Sequence, residues 1–464
     1  MSESPLSFPP RSVAWYATGV LAVLIWLSVL DRFIISLLVG PIKHDLGITD
    51  VQFGIFNGFV FTITYAVLGL GIGVMADSRN RRWLIFLGVA IWSVATAACG
   101  LAQQFWQLLL ARVGVGAGEA ALGPCASSIL ADLFPRERLT FALSVYNLGS
   151  VVGAGMAFII GGQIVEMVAR TPHFTLPLVG AVRSWQAVFF IVGVPGAVLS
   201  LIVFTFPEPV RRGVRNANIM SRSGLATYLE LWRFIRSHGR FFLFHYLGFG
   251  FAMVVLVGGG AWYAPHLART FHWGAAKIGL GIGLAMALGS ITGQMISGTM
   301  VDRLFRRGYR DAQMRWYMFC LLAATPIGIV AMTIGNPWVF LVLLYFLLVT
   351  MSPLPSLAMT ALNIVTPNEL RGTGIALFSL LTGTLGAGTG PVLIAAVSDH
   401  IFKNENDIGL AIGMVIAVCL PLSALFLGLG LGAMRKAVRE AEQWSNTIAP
   451  ATLQAGAIAG PELA

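Results

Sequence analysis

Charge is scarce in this 464-residue chain: Asp, Glu, Lys and Arg make up 11% of it, against 57% hydrophobic residues. A soluble domain carries about one quarter charged residues, so the composition is that of a membrane protein. Lysine is scarcer still, occurring only at 43, 277, 403 and 436, and no glycine precedes any of the four. The phosphate-cradling G-x-x-x-x-G-K-[ST] loop is therefore absent, which excludes ATP-driven transport by that motif. The seven histidines form no H-E-x-x-H pair. Cys99, Cys125, Cys320 and Cys419 all fall inside apolar runs, so neither a disulfide frame nor a zinc pattern is indicated. They read as packing residues, and no metal or cofactor is expected. No cleavable secretory signal stands out, because Met1 to Arg11 carries three prolines and leads into a full-length apolar run.

Long apolar windows are abundant. They fall near 13–39, 51–75, 83–102, 105–131, 139–163, 185–206, 241–264, 276–301, 314–333, 337–361, 372–397 and 408–434. Each is long enough, at roughly 20 residues, to cross a hydrocarbon core of ~30 Å. In lipid only helices and closed barrels satisfy the backbone, and the ten-residue alternation of a barrel is missing. The expected fold class is an all-α membrane protein of twelve transmembrane helices in two pseudo-symmetric six-helix bundles. With the N-terminus inside, twenty-two of the thirty basic residues fall on the inner side and six on the outer, leaving Arg32 and Arg112 within the windows. That bias obeys the positive-inside rule and places both termini in the cytoplasm. The net charge of +10 is thus topological, and the expected partners are the lipid bilayer, protons and a small amphiphilic or anionic substrate, not nucleic acid. A monomer in a bacterial inner membrane is expected.

The chain divides into an N-terminal tail (1–12), an N-terminal bundle (13–206), a linker (207–240), a C-terminal bundle (241–436) and a tail (437–464). The linker ends in the amphipathic stretch YLELWRFIRSHGR, expected as an interfacial helix. The final tail, polar and then rich in Ala and Gly, is expected to be disordered. A repeat supports the division: GVMADSRNRR after the second window is echoed by GTMVDRLFRR after the eighth, 225 residues later. Arg138 and Arg371 each precede a Gly-Ala-Gly triplet by fifteen residues.

This duplicated loop, on twelve helices joined by a long central connection, resembles the major facilitator superfamily of secondary transporters. The run VLDRFIISLLVGPIKHDLGITDVQFGIFNGF, together with RVGVGAGEAALGPCASSILADLFPRERLTFALSVYNLG, is similar to the Spinster branch, whose eukaryotic members carry lysolipids and sphingosine phosphate. The same Asp-Arg on helix one and Arg-x6-Glu-Ala on helix four occur in the superfamily's organic anion and proton symporters. The resemblance implies a cytoplasmic latch of Asp77, Arg81 and Arg138, with Asp302, Arg306 and Arg371 as its pseudo-symmetric partner. The strict antiporter signature on helix five, a Gly-Pro followed by paired glycines, is missing.

Of the acidic residues, only Asp31 and Glu119 sit well inside a window, accompanied by Arg32 and Arg112. A charge at the bilayer centre costs about 2.5–3.5 kcal/mol on insertion scales, so each such residue is a functional candidate. Asp31 and Arg112 each lie eight residues from the outer end of their helix, at roughly 12 Å depth, and are expected to meet. Glu119 lies nearly two turns further in, with no obvious basic neighbour unless Arg32 reaches it. Desolvation disfavours a carboxylate and a guanidinium favours it; an acid whose arginine moves between states therefore has two affinities for a proton. Asp31 and Glu119 are accordingly the proton-coupling candidates. Arg32 and Arg112, with Tyr146, Asn147 and Tyr263, are the substrate-binding candidates. The expectation is a proton-coupled carrier of an amphiphilic or lipid-like substrate, with an organic anion symporter as runner-up and an intramembrane enzyme as the alternative of another class.

Overall fold

The computed structural model describes residues 8–171, 173–176, 180–211 and 224–458. Among these, twelve helices are long and apolar enough to cross a membrane. Helices one to six are Arg11–Leu37, Asp50–Gly73, Arg81–Cys99, Phe105–Leu133, Phe141–Ala169 and Ser184–Thr205. Helices seven to twelve are Gly239–Phe271, Ala275–Arg306, Ala312–Thr333, Pro337–Val365, Leu377–Phe402 and Glu405–Gln443.

Local chemistry sets several of the boundaries. Thr49 opens helix two with a reciprocal capping box, its Oγ1 accepting from the Gln52 amide at 3.2 Å while its own amide donates to Gln52 Oε1 at 2.9 Å. Asn80 caps helix three, and Asn336 caps helix ten with Pro337 in the first turn. Pro353 and Pro355 break helix ten between Met351 and Leu354. Helices two and eleven each contain a π-turn segment, at Ile55–Val60 and Gly383–Gly388.

Each set of six helices packs as a half, and the halves meet along two seams, helix five on helix eight and helix two on helix eleven. Both seams are closest toward the end of the molecule away from the termini, where glycine permits backbone contact. A Cβ added at Gly58 would lie 2.9 Å from the Gly388 carbonyl oxygen, and one at Gly54 would lie 3.0 Å from the Pro391 carbonyl. Gly155 and Gly162 meet Gly283 and Gly279 in the same manner across the other seam.

Three features depart from the sequence reading. A two-stranded antiparallel hairpin, His173–Leu176 with Gly180–Arg183, joins helices five and six. The last helix is continuous to Ile458, so the stretch expected as a disordered tail from residue 437 is helical at least that far. The Ala, Arg, Glu and Gln residues of 437–443 favour helix, and Glu440 and Glu442 pair with His238 and Arg310 at 2.9 and 3.0 Å. The repeated loops also differ in shape: helix two stops at Ser78 and the chain is extended at Arg79, whereas helix eight runs on through Arg306. The linker helix, Gly224–Ser237, lies against the start of helix eleven with Leu231 buried and Trp232 exposed.

Candidate functional site

The charged residues of helices one and four come together beside the helix-two seam. Ser28 and Arg32, one turn apart, share a face of helix one, and both turn to Glu119. The Glu119 Oε2 accepts from Ser28 Oγ and from Arg32 Nε, each at 2.6 Å, and Arg32 Nη2 lies 2.5 Å from it. Asp31 points about 100° away on the same helix. Its Oδ2 accepts from Thr96 Oγ1 on helix three at 3.1 Å, while Oδ1 has no partner. Glu119 Oε1 likewise has none.

Arg112 is 2% exposed, and no hydrogen-bond acceptor meets it among the described residues. Aromatic faces accompany it instead, Phe61 at 4.8 Å and Phe56 at 5.7 Å from the guanidinium carbon to the ring centroid. Such a contact contributes about 2 kcal/mol when desolvated, less than a guanidinium gains from an acceptor that it pairs with in a dry site. The expected Asp31–Arg112 ion pair is thus not formed, and Arg32 rather than Arg112 neutralises Glu119. Depth along the helix axes did not decide the pairing; the direction of each residue around its helix did.

The glycines of helix four make this convergence possible. Gly116 faces Phe61 and Thr64 of helix two, and Gly118 faces Gly88 and Trp92 of helix three. Helix four is interrupted after Glu119 and resumes at Leu122. Ala120 and Ala121 keep helical dihedral angles there, so the break is a local loosening of the hydrogen-bond ladder and not an unwound segment.

A cavity of about 800 Å³ opens between the halves, with Arg32 and Arg112 in its wall. The C-terminal half contributes Met253, Leu256, Val257, Met286 and Leu348 together with Ser290, Ser352 and Ser379, so one side is cationic and the other uncharged and mostly apolar. Tyr263 lines the cavity, as do Asn57 and Tyr65. Tyr146 is buried in the N-terminal core with its hydroxyl unpartnered, off the cavity wall. Asn147 is exposed and also lies off the wall.

At the end away from the termini an ion-pair mesh joins the halves. Asp50, fully buried at the start of helix two, receives both Arg269 Nη atoms at 2.7 and 2.8 Å and Lys43 Nζ at 2.5 Å. Lys43 also reaches Glu405 at 2.8 Å. The sequence reading passed over this cluster. Its only signal is that Lys43 and Arg269 are two of the few basic residues on the side poor in positive charge.

The opposite end holds no matching cross-half cluster among the described residues. Asp302, Arg306 and Arg138 are exposed, and Arg371 Nε donates to its neighbour, the Thr366 carbonyl, at 3.0 Å. The Asp77 side chain lies outside the described residues. Arg81 does not join the expected latch with Arg138: it is buried within its own half and bonded to Asp132 at 2.5 Å, Glu208 at 2.7 Å and Ser128 at 2.9 Å.

Two six-helix halves clasping one cavity and tied by charge at one end have the build of a membrane carrier. The chain belongs to the Major Facilitator Superfamily, whose family model matches residues 21–391. It is similar to an MFS-type efflux pump of Mycolicibacterium smegmatis, 26% identical over 435 residues, covering 92% of this chain and 95% of that protein. Protein spinster of Drosophila melanogaster is 25% identical over 422 residues, 88% of this chain and 66% of the fly protein. The fold matches that of a bacterial homolog of the human lysosomal transporter Spinster in an inward-facing, unoccupied conformation. The TM-score is 0.74 at 23% identity, covering 93% of this chain and 98% of that one. Membership of that superfamily makes it a membrane transporter and not an enzyme, and among the transporters it is similar to the spinster proteins.

Proposed function

We propose that the protein is a proton-coupled secondary transporter that moves an amphiphilic, lipid-like substrate with an anionic head by alternating access. The observation that carries this reading is Arg112, a buried guanidinium without an acceptor, set in the wall of a cavity whose facing side is mostly apolar. An anionic head group supplies the missing acceptor, and the acyl or sterol-like body takes the C-terminal wall. Asp31 and Glu119, each with one free oxygen, take up and release the proton. When Arg32 leaves Glu119 as the halves rock, the carboxylate loses its counter-charge and binds a proton instead.

With the termini in the cytoplasm of a bacterial cell, the Lys43–Asp50–Arg269–Glu405 mesh closes the outer end and the cavity opens inward. The exposed Asp302, Arg306, Arg138 and Arg371, with Asp77, then form the latch of the opposite, outward-facing state. A sugar acid or carboxylate symported with protons is the second reading, favoured by the presence of two guanidinium groups in one cavity wall.

Uptake into proteoliposomes separates the two. Lysophosphatidylglycerol should accumulate under an imposed pH gradient and exchange by counterflow without chemical change, while glucuronate should not compete. Competition by glucuronate together with no transport of the lysolipid would move the assignment to the organic anion reading, and no response of either to the gradient would remove the proton.

A further inference from the structure

Phe61 stands between the two arginines. Its ring centroid lies 4.7 Å from the Arg32 guanidinium carbon and 4.8 Å from that of Arg112, and the ring is 8% exposed. Two local features place it there. The π-turn Ile55–Val60 ends at Phe61, and the extra residue in that turn changes the direction in which the following side chains leave the helix. Across from it, a Cβ on Gly116 would lie 3.0 Å from the Phe61 carbonyl oxygen, so only glycine lets helix two come this near.

Both carboxylates of the site retain an unpartnered oxygen, yet Arg112 pairs with neither. In a site of low dielectric a free guanidinium is drawn strongly to a neighbouring carboxylate, so something must hold it elsewhere. The faces of Phe61 and Phe56 are what it touches, and an aromatic face attracts a cation without neutralising it.

We propose that Phe61 is a positioning residue that keeps Arg112 off Asp31 and Glu119, so that the guanidinium stays available to an anion entering the cavity. The proposal rests on Arg112 being the anion receptor. Without the ring Arg112 swings to an internal carboxylate, and an incoming anion then has to displace it.

The test uses full-length protein in nanodiscs, with binding of lysophosphatidylglycerol compared with that of an uncharged monoacylglycerol of the same chain length. Phe61→Leu should weaken the anionic probe about 10-fold and leave the uncharged one within about 2-fold, and Phe61→Tyr should restore selectivity. Equal loss for both probes, or none for either, overturns the proposal, since a ring that only packs does not discriminate by head-group charge. Phe61→Met, whose unbranched side chain adapts to an irregular gap, serves if the leucine variant does not fold. Arg112→Gln run in parallel separates the two ideas. If it leaves anionic binding intact, or if the wild type shows no preference for the anionic probe, the receptor reading fails and the proposal with it. If it weakens binding while Phe61→Leu does not, only the role of Phe61 fails.

Discussion

The two halves share a helical plan and a repeated loop, yet they treat charge in opposite ways. The N-terminal half buries Asp31, Arg112 and Glu119 beside the cavity, with Arg32 half-buried in the cavity wall. On helix seven, 225 residues after Asp31 and Arg32, stand Leu256 and Val257, which line the same cavity from the other side. The loops diverge likewise: Arg81 is buried among Asp132, Glu208 and Ser128, while its repeat partner Arg306 is exposed. A duplicated scaffold has thus been divided into one half that handles charge and one that offers a mostly apolar face. The division suits a carrier, because one half can hold the titrating acids and the guanidinium groups that come and go from them, whereas the facing half need only close over the cargo.

The contrast between repeat partners yields the largest expected effect. Arg81→Ala removes the buried guanidinium that bonds Asp132, Glu208 and Ser128 and should destabilise the protein by about 3–5 kcal/mol, the cost of breaking a buried ion pair. A detergent thermal melt checks it, and an unchanged midpoint would show that the two loops are equivalent after all. Next in size is the mesh at the end away from the termini. Asp50→Asn removes the carboxylate that joins Lys43 and Arg269 and should open that end. With a cysteine at Ser36 on the cavity wall, an impermeant maleimide added from that side should label the Asp50→Asn protein at least about 10-fold faster, roughly 1.4 kcal/mol of shifted population. The four native cysteines are buried and keep the background low.

The apolar wall should respond more gently. Leu256→Ala removes methylenes from the cavity wall worth about 1–3 kcal/mol of chain discrimination, so the preference for long over short acyl chains should fall while head-group preference stays. Competition between lysophosphatidylglycerols of two chain lengths measures it. Smallest of all, Arg306→Ala and Asn147→Ala should each stay within about 0.5 kcal/mol of wild type in the same melt, because both residues are exposed and neither lines the cavity.

How much of this was legible beforehand follows from what a linear pattern encodes. The twelve spans were readable because each is a long apolar run, and the buried charges because so few interrupt those runs. The partner of Glu119 was legible only as one of two alternatives for Arg32, the other being the cavity, since distance along a helix gives depth but not which way an arginine's long stem turns; Ser28, one turn before Arg32, marks that face only in retrospect. The tie among Lys43, Asp50, Arg269 and Glu405 was not legible, because its members come from three distant stretches of the chain at helix ends, where charges are commonplace. The repeat misled in one respect. Matching letters suggested matching environments, but Asn80 starts a new helix just before Arg81, whereas helix eight has no such stop before Arg306.

Proton movement and cargo movement, recorded together in one preparation, bear most directly on the coupling role of the buried acids. Proteoliposomes loaded with a pH-sensitive dye and given labelled lysophosphatidylglycerol should show proton flux in fixed ratio to lipid flux for the wild type. Glu119→Gln should lose the proton flux and the gradient-driven accumulation while retaining exchange. An unchanged ratio of protons to lipid in Glu119→Gln would contradict the account.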